Sequence, residues 1–357
     1  MKQLLLFLTV GSLFWIAACK PDKQNDITTD IPVTEQQVLD DFANVIVNPN
    51  YQDLQQKANE LRLAVVTLNA SCINSNLYAA QSAWRAIRVP WEQSEGFLFG
   101  PVEDYNYDPA TDSWPVNTIE LDSLIASNNT LTLADIDSLQ DALRGYHPIE
   151  YLLFGVGGSR DASELSVRKL QYLVSLTENL YNVVTQLRND WDPNQPNNFT
   201  AQLVTAGQGS VRFATRKDAF LTIVGAMEHI CNEVANAKME DPLVALDSSI
   251  VESQYAHNAT SDFTNNIVGL QNVYMGTYGS GSGHCLHDLV VAKSTSLDND
   301  IKSQISICIA GLLNIDTNYG LAIYTQQGQI FAAQQQINIL HDKLDLLKQF
   351  VETNITD

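Results

Sequence analysis

The sequence predicts an all-α protein. Apolar residues recur at three- and four-residue spacing across residues 38–47, 54–68, 77–87, 136–143, 167–187, 219–237, 301–315 and 330–350, the period of a helix with one buried face. No long run alternates apolar and polar residues as a half-buried strand does. Proline and glycine fall in the gaps, at Pro90, Gly100, Pro101, Pro115, Gly157, Gly158, Pro193, Pro196, Pro242 and in the run from Gly279 to Gly283.

The chain opens differently. Lys2 precedes an apolar stretch that runs to Ala18 and ends in small residues, which reads as an export signal over residues 1–18. Ile16, Ala17, Ala18 and Cys19 look like a lipobox, where cleavage exposes Cys19 for acylation. Residues 19–32 are polar and aperiodic, as expected of a tether between lipid and domain. Acyl chains at Cys19 would hold the protein to a membrane without spanning it.

With 357 residues, the chain is long enough to bury substantial cores without disulfide staples. Hydrophobic residues make up 45% and charged residues 17%, a globular balance. Acidic residues number 41 against 20 basic ones, for a net charge of -21. Removal of residues 1–18 takes away one lysine and no acid, shifting that charge to -22. Such a surface repels phosphate backbones and attracts cations, so nucleic acid is excluded as a partner. Cys72, Cys231, Cys285 and Cys308 show no CxxC spacing and no compelling disulfide pairing.

Residues 190–200 (DWDPNQPNNFT) form the sharpest break in composition, between two long helical patterns. The boundary falls there, giving an N-terminal helical domain over residues 33–190 and a C-terminal one over 191–357. Each side holds enough amphipathic helix for about four packed helices.

Five segments carry candidate chemistry. In residues 145–155 (GYHPIEYLLFG), His147 and Glu150 would share a face of a continuous helix and present imidazole nitrogen and carboxylate oxygen to one metal ion. Pro148 disfavours helical geometry at His147, so the expected helix restarts with Pro148 at its first position and Glu150 at its third, where an acid also complements the helix dipole. In residues 88–102, Glu92 and Glu95 lie three apart beside Trp91, Phe97 and Phe99, and Asp112 follows in a turn with Trp114 and Pro115. In residues 227–239, His229 and Glu233 share a helix face. Residues 252–269 are crowded with Asn, Ser, Thr and Asp, the composition of a loop rich in capping side chains. His284, Cys285, His287 and Asp288 form a compact set after a glycine-serine run. No GxSxG elbow, Walker loop, dinucleotide fingerprint or HExxH is present, and Tyr151 stands where an HxxEH motif needs histidine.

Taken in order, these segments resemble the imelysin-like family, filed historically among peptidases and including lipoproteins linked to bacterial iron uptake. The family's GxHxxE is matched by Gly145, His147 and Glu150. Trp84, Arg88, Pro90, Trp91, Glu92, Glu95, Phe97, Gly100 and Pro101 match its WE-containing helix end and following loop, and Asp112, Trp114 and Pro115 the next turn. Glu233 and Met239 match a later helix, with Lys238 in place of the usual arginine, and Ser253, Asn258, Asp262 and Gly269 match its Ser- and Asn/Asp-rich segment.

The resemblance implies two similar four-helix bundles with a site at their interface. It implies a metal ion held by His147, Glu150, Glu95, Asp112 and Glu233, with Arg88, Trp91, Glu92, Ser253, Asn258 and Asp262 around the ligand. One imidazole with several carboxylates suits iron, zinc or manganese, and iron first given the family. The expected protein is therefore a lipoprotein of the bacterial envelope, anchored through Cys19 at the outer membrane, that binds iron or an iron-bearing ligand and serves an iron-transport system. A metal-dependent peptidase using the HxxE motif, or a structural surface lipoprotein, are the alternative readings.

Overall fold

The computed structural model describes residues 33–356; the expected signal, Cys19 and the whole tether lie outside them. Apart from one two-residue hairpin, the regular structure of the described residues is helical. Helix α1 (Glu35–Asp41) opens on a capping box between Thr34 and Gln37 and runs through a π turn (Phe42–Val47) into α2 (Asn48–Ala70). Helix α3 (Asn74–Ser94) returns antiparallel to α2, and α5 (Val167–Trp191), capped by Ser166, packs on the other side of α2. Between them lies α4 (Tyr146–Phe154), whose every residue is buried. Later in the chain, α6 (Arg216–Glu233), α7 (Ala259–Met275), α8 (Thr295–Leu313) and α9 (Gln327–Asn354) pack on one another, α9 bridging α6 and α8. Among the described residues, no helix is long and apolar enough to cross a membrane.

The two groups meet where α7 crosses the end of α3, and glycine allows it. A Cβ on Gly269 would stand 2.1 Å from the Gln93 carbonyl oxygen, and one on Gly96 would stand 3.0 Å from the backbone of Gly269 and Leu270. The 190/191 junction falls at the end of α5. There Trp191 packs edge-on against Phe199 at 4.7 Å, with Phe99 and Tyr51 about the same indole. Residues 33–357 therefore form one compact unit across that junction.

Several local expectations change. Pro90 lies inside α3 rather than in a gap: its carbonyl takes a bond from Asn50 Nδ2 at 3.0 Å, and the ring sits one turn from the helix end. Residues 136–143 do not form one helix but a short helix (Leu133–Asp137) and a 3₁₀ turn (Asp141–Leu143). Residues 259–269, expected as loop, lie in α7; Asn266 there bonds Glu92 of α3, Thr260 bonds the Asp316 carbonyl outside the helix, and Thr264 bonds back to the Thr260 carbonyl, so the polar side chains serve contacts of a helix. The glycines from 279 to 283 shape an antiparallel hairpin, β1 (Thr277–Tyr278) with β2 (Gly281–Ser282). Cys72, Cys231, Cys285 and Cys308 are free thiols.

Candidate functional site

The end of α3 supplies the first side chains. Arg88 and Glu92, one turn apart, share a face that is wholly buried, and Trp91 and Glu95 flank it. The short helix Tyr107–Asp112 ends on Asp112, pointed at the same place. Gly145 caps α4 with φ 85°, and a Cβ there would collide with the Thr111 carbonyl at 2.2 Å. The glycine of the motif thus seats α4 directly behind Asp112. Helix α4 begins at Tyr146, two residues earlier than expected from Pro148. Proline is tolerated because residue 148 is still in the first turn, where its missing N–H has no helical partner. His147 is therefore the second residue of the helix and Glu150 the fifth.

His147 is held at both nitrogens, with Nδ1 3.0 Å from Glu150 Oε2 and Nε2 3.1 Å from Asp112 Oδ1. Burial alone would lower its pKa, but hydrogen bonds to Asp112 and Glu150 outweigh that and push it up to about 9. Glu150 uses its other oxygen to accept the Ala256 N–H at 2.8 Å. It orients the imidazole and ties down residues 252–258. Asp112 Oδ2 accepts the Trp91 indole N–H at 2.6 Å, and its Oδ1 pairs with the Arg88 guanidinium. Burial opposes ionisation of Asp112, yet Arg88 and His147 hold its carboxyl well below the usual range.

The remaining groups come from the later helices. Arg88 also pairs with Glu92 and with Glu252 at 2.6 Å, and lies 3.7 Å from Asp262. Asp262 accepts from Asn258 Nδ2 at 2.7 Å and has Ser253 beside it. Ser253 and His257 adopt left-handed backbone (φ 50° and 53°), which folds residues 252–258 tightly enough to tuck Glu252 inside. Asn266, one turn beyond Asp262, donates to Glu92 at 2.6 Å and to Glu95 at 3.1 Å. Lys238 arrives on a π turn (Val234–Lys238) that extends α6 and closes with a Met239 N–H to Val234 carbonyl bond of 3.0 Å. Its ammonium lies 2.9 Å from Glu95, 3.2 Å from Glu252 and 3.9 Å from Glu92.

Acids are in excess here. Glu92, Glu95, Asp112, Glu150, Glu252 and Asp262, all buried, make their ion pairs in this cluster with three buried bases, Arg88, Lys238 and His147. Burial pushes Glu92 and Glu95 well above the usual carboxylate range and Asp262 up to about 7, against the lowering pull of Arg88 and Lys238. An ensemble of this kind holds protons or attracts cations.

A cleft of about 290 Å³ opens onto it, lined by Glu95, Glu103, Asp108, Asp112, Glu233 and His229 with Trp114 as one wall. No lysine or arginine lines it. The Trp114 ring is 6.2 Å from the His147 ring and 5.3 Å from the Lys238 ammonium, so it covers both. A larger groove of about 810 Å³ over Tyr105, Asn182, Gln186 and Arg144 contains none of the buried cluster.

The structure thus brings His147, Asp112 and Glu95 together with Arg88, Trp91, Glu92, Ser253, Asn258 and Asp262. Donor atoms of Asp112, His147 and Glu252, and of Glu92, Glu95 and Asp112, lie within 4.8 Å of one another, a donor chemistry that fits a hard or borderline cation. Glu150 and Glu233 stand apart from those groups: Glu150 is turned to His147 and Ala256, and Glu233 sits partly exposed on the cleft rim, 4.0 Å from Lys238. Glu252, Asn266, Lys238 and Asp108 join the site without having been assigned to it from the sequence. His229 makes only an i,i+4 contact with Glu233 at 3.5 Å. In the set at 284–288 only His287 turns away, to Asp298 at 2.5 Å; Cys285 is the buried cap of the short helix Leu286–Val291 and donates its N–H to Asp288 at 3.0 Å, and His284 stays 3.8 Å from Asp288 while its N–H bonds Asp41 at 2.7 Å.

This all-helical frame with a buried His/carboxylate cluster under an acidic cleft defines the class. The chain belongs to the Imelysin family, whose sequence profile matches residues 47–347. It is 31% identical over 247 residues to iron-regulated protein A of Synechococcus elongatus, a match covering 69% of this chain and 65% of that relative's length. The crystal structure of a candidate iron-regulated protein A precursor from Parabacteroides distasonis superposes with a TM-score of 0.80 at 27% identity, over 90% of this chain and 96% of the other. An imelysin-like protein from Psychrobacter arcticum shares the fold, with a TM-score of 0.67 at 15% identity over 89% and 93% of the two chains.

Proposed function

We propose that this protein is a cell-envelope lipoprotein, anchored through Cys19, that captures iron or an iron-bearing ligand for a transport system. The observation that carries this reading is the acidic cleft whose floor is Asp112 and Glu95, with His147 directly behind. Carboxylates without a basic neighbour along the wall concentrate a cation at the mouth, and the buried acid excess favours keeping it there. Asp112, Glu95 and His147 offer hard oxygen and borderline nitrogen donors, which suit iron, with zinc as the competing fit. The iron-regulated naming of the relatives and the overall charge of -21 support the same direction.

The reading is tested by calorimetric titration of ferrous iron, under anaerobic conditions, into wild type and the Asp112→Asn/His147→Ala double variant. The expected result is saturable binding weakened at least tenfold in the variant. Identical isotherms from two folded proteins would remove the site from the function.

A further inference from the structure

Lys238 occupies the inner carboxylate cage in the way a bound cation would. Both oxygens of Glu95 face its ammonium, at 2.9 and 3.2 Å, Glu252 Oε2 is 3.2 Å away, and Glu92 and Glu233 stand at 3.9 and 4.0 Å. The ring of Trp114 closes the remaining side at 5.3 Å. The side chain is fully buried, and a π turn is spent on bringing it there. Across the cage, Arg88 takes the other oxygens of Glu92 and Glu252. A metal ion needs carboxylate oxygens at roughly 2.0–2.6 Å. Seated among Glu92, Glu95 and Glu252, it would stand within a few ångströms of a desolvated ammonium, with unscreened repulsion between them.

We infer that Lys238 is the fixed cation of this cage, that the cage takes no metal ion while the lysine is present, and that a captured cation stays on the cleft side against Glu95 and Asp112. The last clause rests on the proposed capture of a cation; the first two do not. Lys238 thereby keeps the inner carboxylates paired without cargo, while Glu95 and Asp112 also border the cleft that a cation would enter. Capture then occurs next to solvent, where release is also possible.

The test uses Mn²⁺ as probe, with free ion counted by electron paramagnetic resonance and Tm followed in parallel, on wild type, Lys238→Met, Lys238→Arg and the double variant Lys238→Met/Glu252→Gln. Lys238→Met is expected to gain one additional tight Mn²⁺ per chain and to rise in Tm on adding it, whereas Lys238→Arg gains none. The double variant is expected to lose that additional ion, because Glu252 is a wall of the vacated cage. An additional ion retained at full affinity in the double variant would place it outside the cage and overturn the inference, as would a folded Lys238→Met with no added site. Should Lys238→Met bind Mn²⁺ where wild type binds none, the capture function fails while the role of the lysine stands.

Discussion

Oδ1 of Asp112 is shared between the Arg88 guanidinium and Nε2 of His147, the latter at 3.1 Å. One carboxylate thus ties the end of α3 to the start of α4, and Arg88 carries the tie on to Glu92, Glu252 and Asp262. Among the described residues the guanidinium is the only group that pairs with all of these acids, and its planar fork meets several at once in a way an ammonium cannot.

Arg88→Ala is therefore expected to destabilise the protein by about 3–5 kcal/mol, because it leaves buried carboxylates without their counter-charge. Arg88→Lys should recover only part of this. Urea unfolding followed by circular dichroism measures both, and a loss below about 1 kcal/mol for Arg88→Ala would mean that the acids protonate at little cost.

Gly145→Ala tests the seat of α4. Its φ of 85° disfavours any Cβ, and the added atom would meet the Thr111 carbonyl at 2.2 Å. A cost of about 2 kcal/mol or more is expected from backbone strain alone, with Asp112 pushed away from His147. Wild-type stability in urea would show that the turn relaxes freely.

Much of this was legible in the sequence. The helical period found α2, α3, α5, α6, α8 and α9 but not α7, and the segment 88–102 marked Glu92 and Glu95 together as candidate ligands. The GxHxxE segment placed His147 beside Glu150, because three residues on any helical turn keep two side chains in reach. Lys238 was hidden for the opposite reason. Five residues after Glu233, it would lie on a different face of an α-helix, and only the π turn brings both toward one cage. Glu252 depends on left-handed backbone at Ser253 and His257, which neither residue type signals. Asn266 looked like loop composition, since polarity that serves a buried network has the same local pattern as polarity that serves solvent.

The free thiols give a chemical check on packing. Cys231, Cys285 and Cys308 are buried, which pushes the Cys231 thiol well up and the other two up to about 12, while Cys72 is half-buried with its Sγ 3.2 Å from the Ala162 carbonyl. A maleimide at neutral pH should label Cys72 first in the folded protein and the other three only after denaturation, since the thiolate is the reactive form. Peptide mass spectrometry reads the order, and equal labelling of all four under native conditions would contradict the packing of α6 against α8 and α9.

A second polar cluster, remote from the cleft, predicts how the protein responds to acid. Asp298 is wholly buried at the start of α8, where it accepts from Tyr274 at 3.0 Å and pairs with His287 at 2.5 Å and Lys302 at 2.7 Å. Burial would raise its pKa, but the bonds from Lys302, His287 and Tyr274 prevail and hold it below its ordinary value. Its unfolded pKa is about 3.9, so the folded chain binds its proton less readily than the unfolded one. The stabilisation from Asp298 is thus complete above about pH 3.9 and disappears as pH falls through the lower folded value. Asp298→Asn should cost about 1–3 kcal/mol at neutral pH, from weakened bonds to charged partners. It should also lose less stability than wild type between neutral pH and the acid side of that window. Urea midpoints at pH 7 and across the acid range measure the difference, and parallel curves for the two proteins would show that Asp298 titrates alike folded and unfolded.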